Sequence, residues 1–73
     1  MAKLGQFSGQ EVCGILAAHG FCQVRQRGSH VVMQKSVDDQ TKTVPVPDHR
    51  TLRVGTLRSI IRQSGLPRSL FEK

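Results

Sequence analysis

Aromatic residues are scarce: the chain has three Phe, no Tyr and no Trp in 73 residues. Stacking of bases on aromatic platforms, a common way to grip single strands, is therefore a minor contribution at most. Acidic residues are also few, five against eleven Lys and Arg, which leaves a formal net charge of +6. Long apolar runs are missing. Runs such as Val31-Val32-Met33 fall far short of the ~20 residues a spanning helix needs. The start, Met1-Ala2-Lys3-Leu4, has no apolar core of a signal peptide. These absences predict a cytoplasmic chain with no membrane partner. The two cysteines, Cys13 and Cys22, lack CxxC spacing. In a reducing compartment they read as small buried hydrophobes, not as a disulfide or a metal site. No HxxxH or HExxH spacing is present, so no metal is expected, and nothing calls for a small-molecule cofactor.

At this length there is room for one domain, residues 1–73, and no second core. A domain so small buries only about 60% of the surface its unfolded chain exposes. It cannot wall off a deep cavity, so an active site should be a shallow groove, better suited to a polymer than to a metabolite. The basic balance attracts polyanions: nucleic acid, an anionic membrane surface or an acidic protein. Seven of the eleven cations are Arg, whose planar fork of donors matches phosphate and tilts the reading to nucleic acid.

The element pattern is legible. Ser8 precedes Glu11 by three residues, the spacing of a capping box, with Phe7 placed as a hydrophobic staple. Val12, Ile15, Leu16 and His19 fall on one helical face, and Gly20 is a C-terminal stop, predicting a helix near residues 9–19. Three strands follow, Phe21 to Arg27, His30 to Lys35 and Lys42 to Val46, separated by turns at Gly28-Ser29 and Asp38-Asp39-Gln40. The turns are short, so the sheet should be an antiparallel meander. Pro45 lacks a ladder donor and places the third strand at an edge. After the loop Pro47-Asp48-His49-Arg50, a second helix is predicted near 54–64, buried through Leu57, Ile60, Ile61 and Ser64 and stopped by Gly65 and Pro67. The tail Arg68 to Lys73 offers a last short turn through Leu70 and Phe71. The predicted fold is α+β, α-β-β-β-α, with a three-stranded antiparallel sheet and both helices on one face. That order resembles the double-stranded-RNA-binding domain, a likeness that does not by itself establish function.

Several stretches carry a closer likeness. Ser8-Gly9-Gln10-Glu11-Val12, His19-Gly20-Phe21 and Val24-Arg25-Gln26-Arg27-Gly28-Ser29-His30 come first. Thr43-Val44-Pro45-Val46-Pro47 and Val54-Gly55-Thr56-Leu57-Arg58-Ser59-Ile60-Ile61-Arg62-Gln63-Ser64-Gly65-Leu66 follow. In order and spacing these resemble the HicA (YcfA-like) toxins across residues 8 to 66. The resemblance implies a type II toxin–antitoxin component that cleaves mRNA without a metal and is inhibited by a HicB-type antitoxin. It also implies that His30, in Gly28-Ser29-His30, is the catalytic histidine. Where the family often reads His-Gly or His-Ser after the strand, this chain has Pro47-Asp48-His49-Arg50, which leaves the role of His49 open.

The residues agree with such chemistry and also admit blander roles. RNA supplies its own nucleophile, the 2′-OH; cleavage needs a base, an acid and cations for the phosphorane. Histidine suits the proton transfers, and Lys and Arg the charge. His30 begins a strand after a Gly-Ser turn, exposed yet anchored; the alternative is an exposed strand-end histidine with no task. Gly28 lets a phosphate approach the backbone. Arg25, Arg27, Ser29 and Lys35 lie near it in sequence as candidate RNA contacts. Arg58 and Arg62, one turn apart, admit RNA phosphates, acidic antitoxin residues or plain solvent. His19 beside a helix end reads as a packing or capping residue. His49 is either a second proton-transfer group or a loop residue. Two other classes stay open: a non-catalytic RNA-binding module and a basic protein-interaction subunit.

Overall fold

A computed structural model describes residues 3–73. Helix α1 spans Gly9–Ala18, followed by strands β1 (Cys22–Arg27), β2 (His30–Val37) and β3 (Gln40–Pro47), helix α2 (Val54–Ser64) and a short 3-10 turn at Arg68–Phe71. The order α-β-β-β-α and the antiparallel meander β1-β2-β3 are those predicted.

The capping box closes α1. The Glu11 N–H donates to Ser8 Oγ at 3.0 Å and the Ser8 N–H to Glu11 Oε1 at 2.9 Å, so two otherwise orphaned donors are satisfied. That backbone donor holds the Glu11 carboxyl below the ordinary carboxylate range. A carboxyl lowered by the fold adds stability above its unfolded pKa, and loses it as pH falls through the folded one. Ser8→Ala is expected to cost about 1 kcal/mol of stability, measured by urea unfolding at neutral pH. Phe7 is buried beside Val12 in the core, as a staple requires. At the other end His19 is exposed and caps the helix instead of lying on its buried stripe. Its Nδ1 is 2.9 Å from Ile15 O. Gly20 takes φ +96°. Its N–H donates to Ala17 O and the Phe21 N–H to Leu16 O, a Schellman closure that turns Phe21 into the core.

Both helices share one core. Val12 and Leu16 of α1 and Leu57 and Ile60 of α2 pack with Val31, Met33, Val44 and Val46. The strand residues are paired across β2 and β3, Val31 with Val46 and Met33 with Val44, so they occupy one face of the sheet. The opposite face carries no helix. Phe71 from the terminal turn is fully buried and meets Phe7 edge-on, ring centres 6.2 Å apart. Leu4 bridges Glu72, and the Gly5 N–H donates to Phe71 O, tying the two ends of the chain together.

Two lysines close the helix layer from below. Lys35 and Lys42 are direct cross-strand neighbours on the helix-facing side, a pairing of like charges that would repel if both pointed the same way. They diverge. Lys35 Nζ donates to His19 O at 2.8 Å under the end of α1, and Lys42 Nζ to Ser64 O at 3.5 Å under the end of α2. Cations there complement the negative ends of the helix dipoles.

Candidate functional site

Arg27-Gly28-Ser29-His30 forms a two-residue hairpin in which Gly28 has φ +59° and Ser29 does not share it. A positive φ at the first central position alone is the type II′ pattern, which favours glycine there. A Cβ on Gly28 would meet nothing within 4 Å, so the backbone is open to an approaching group. The turn makes Arg27 and His30 a directly opposed pair, and Pro47 completes the row from β3.

An irregularity in β1 adds a second cation to this face. The register with β2 shifts between Gln23 and Arg25, leaving Val24 as the extra residue. Val24 is accordingly 48% exposed. Without the bulge, Arg25 would stand opposite Val31 on the core side. With it, Arg25 pairs with Val32 and Arg27 with His30. One extra residue thus flips every side chain beyond it. The helix-free face then carries Arg27, His30 and Pro47 in one row, Arg25, Val32 and Pro45 in the next, and Cys22, Gln34 and Thr43 in the third. Arg25, Arg27 and His30 are all exposed. None of them makes an ion pair among the described residues.

The other candidates lie elsewhere. Lys35 is on the helix side, held on His19 O and 5.8 Å from the Phe21 ring centre. Arg58 and Arg62 are exposed on α2, which packs through Leu57, Ile60 and Ser64 on the core face, so the sheet separates α2 from His30's face. Arg68 is paired with Glu72 at 3.0 Å. Ser29 contributes its carbonyl oxygen, which accepts the Asp48 N–H at 2.6 Å. That bond, with the Gly9 N–H on His49 O at 2.9 Å, pins the loop after β3 between the hairpin turn and the start of α1. A groove of about 290 Å³ lies there, lined by Ser8, Gln10, Asp48, His49 and Arg50. Of these only His49 is a candidate for proton transfer by sequence, and Ser8 reads there as a helix cap. The others come together through tertiary contacts between the start of α1 and the end of β3, which spacing along the chain does not reveal. Among the described residues no three His, Cys, Asp or Glu side chains gather as a metal set. No described helix is long and apolar enough to cross a membrane.

A family model described as the HicA toxin of bacterial toxin–antitoxin systems matches residues 9–66, well over half of the chain. The chain belongs to the HicA toxin family. A search of curated proteins gives no match. Membership assigns the protein a toxin role and implies a cognate antitoxin as its partner. The HicA match takes in both helices, all three strands and the groove except Ser8, and leaves out the Phe71 turn that completes the core.

The cysteines of this HicA chain need a correction. Cys22 is exposed at the start of β1 and Cys13 is half-buried, so neither is the fully buried hydrophobe that composition suggested. Both are free. Burial, and secondarily the Asp48 carboxylate, push the Cys13 thiol above its ordinary pKa. Thiolate is the reactive form. Iodoacetamide at mildly alkaline pH is therefore expected to modify Cys22 well before Cys13, as peptide mass spectrometry would report.

Proposed function

We propose that this HicA protein is a metal-independent endoribonuclease that cleaves mRNA, with His30 as its catalytic residue. The observation that carries the reading is the meeting of Arg25, Arg27 and His30 on the open face of the sheet, beside a Gly28 turn with no side chain in the way. The substrate's 2′-oxygen attacks phosphorus and the 5′-oxygen leaves. One proton leaves the 2′-OH and one reaches the 5′-oxygen. His30 serves as the general base or acid. Arg25 and Arg27 bear the growing charge on the phosphorane, and the Gly28-Ser29 backbone lets the phosphate come close. Because the RNA brings its own nucleophile, no metal-bound water is needed.

An exposed open face suits an RNA strand better than a small metabolite, and its cations make binding mainly ionic and steeply salt-dependent. Lys35, Arg58 and Arg62 fall outside this set: the first anchors α1, and the other two form a separate cationic surface on the helix layer. The antitoxin is proposed to be of the HicB type and to cover His30's face, so antitoxin and RNA exclude each other.

The test is purified protein with end-labelled mRNA in EDTA at low salt. The expected result is cleavage in EDTA that a single 2′-deoxy substitution at the cut nucleotide abolishes. Cleavage that needs added metal, or that survives loss of the 2′-OH, would overturn the mechanism. Binding without cleavage would make the chain an RNA-binding module.

A further inference from the structure

We propose that the groove between the start of α1 and the loop after β3 seats a guanine nucleotide of the RNA strand that crosses His30. The proposal rests on the ribonuclease reading and names what that site selects.

Its position comes first. Pro47 is the β3 partner of His30, and the groove begins with the next residue, Asp48, whose N–H is bonded to Ser29 O beside the catalytic histidine. A strand lying along the open face and passing His30 therefore reaches this groove at the same end of the sheet. The walls are fixed in place. The Gly9 N–H holds His49 O, and the Leu52 N–H donates to Phe7 O at 2.8 Å, so the loop is tied to the α1 entry on both sides of Arg50. About 290 Å³ is room for a single nucleotide.

The chemistry of the lining is uncommitted. Ser8 and Glu11 are used up in the capping box. The side chains of Gln10, Asp48, His49 and Arg50 make no hydrogen bond or ion pair among the described residues, although a carboxylate, an imidazole and a guanidinium follow one another along the chain. Single-stranded RNA is read on the Watson–Crick edges of splayed bases, with His or Arg planes as stacking surfaces where aromatics are lacking. Guanine presents two adjacent donors on that edge, N1–H and N2–H, which match the two oxygens of a carboxylate. In this groove Asp48 accepts from both, the Gln10 amide donates to O6, His49 or Arg50 stacks on the base, and the Arg50 guanidinium also lies near the nucleotide's phosphate. Cytosine and uracil lack this donor pair, and adenine has a ring acceptor where guanine has N1–H.

The groove can be tested without any cleavage step. The whole ¹⁵N-labelled chain is titrated with the four nucleoside 5′-monophosphates and amide shifts are followed. The expected result is shifts at Ser8 to Gln10 and Asp48 to Arg50, with GMP binding about tenfold tighter than the other three, as a bidentate base contact warrants. Asp48→Asn should erase that preference, and Arg50→Ala should weaken all four alike. Equal binding of the four, shifts only near Arg25 and His30, or an unchanged GMP preference in Asp48→Asn would each overturn the proposal. The mRNA assay in EDTA separates the two readings. Cleavage with a silent groove removes the guanine seat and keeps the ribonuclease. A GMP-selective groove without cleavage keeps the seat and removes the ribonuclease.

Discussion

Replacing His30 with alanine is expected to slow mRNA cleavage by roughly 10²–10⁴-fold, the contribution of a positioned proton-transfer group, while leaving the fold intact. The two halves of that expectation have separate causes. His30 is exposed at the first position of β2, and its ring makes no hydrogen bond among the described residues. The hairpin beside it is set by Gly28 and by backbone pairing of His30 with Arg27 and Pro47, which alanine retains. Removing such a side chain should change stability by no more than about 0.5 kcal/mol. The rate falls because Arg25 and Arg27 cannot move a proton at neutral pH. Both proteins should give superimposable circular dichroism spectra and similar affinity for an uncleavable 2′-deoxy oligonucleotide. Equal cleavage by the variant would show that His30 takes no part, and attention would pass to His49 in the neighbouring groove.

Signals within one element were legible in the chain, and those between elements were not. The capping box of Ser8 and Glu11, the Phe7 staple and the Gly20 stop are local patterns, and each forms as the spacing indicates. The predicted β2 and β3 are each longer in the structure, His30–Val37 and Gln40–Pro47, because pairing extends to a tight turn in which Asp38 takes φ +52°. Asp tolerates that conformation through its own short polar side chain. The face of each strand residue, by contrast, depends on register. Lys35 is near His30 in sequence but five positions away, an odd number, so the pleat turns it to the helix side and onto His19 O. The Val24 bulge leaves no sequence mark, since neither Gly nor Pro accompanies it, yet it decides where Arg25 points. Cys22 and Val24 look like core members by composition, but Cys22 stands opposite Gln34 on the helix-free face and Val24 is the bulged residue, and both are exposed. The groove of Gln10, Asp48, His49 and Arg50 is assembled by the contact of the start of α1 with the end of β3.

That contact makes the same substitution act in opposite directions at two positions of α1. Gly9→Ala is expected to destabilise the protein by about 3 kcal/mol, at the upper end for overpacking. A Cβ there would overlap the Pro47 carbonyl oxygen and crowd the Pro47 backbone and the Asp48 Cα. These are backbone atoms held by the β2–β3 ladder and by the Asp48 bond to Ser29 O, so they have little room to yield. Gly14→Ala, one and a half turns along the helix, meets nothing within 4 Å. It should stabilise by about 0.5–1 kcal/mol, because alanine loses less backbone entropy on folding than glycine. Urea unfolding of the two variants against the parent measures both. Gly9→Ala should also disturb the groove, since any relief of the overlap displaces the loop that carries Asp48, His49 and Arg50. A small domain lives on a stability of about 5–15 kcal/mol, so a loss near 3 would place the variant close to partial unfolding at 37 °C. Adding Gly14→Ala should recover part of the stability without restoring the groove, because it touches none of the atoms that Gly9→Ala displaces. Full recovery of nucleotide binding in the double variant would show that the close approach of α1 to Pro47 is not what shapes the groove.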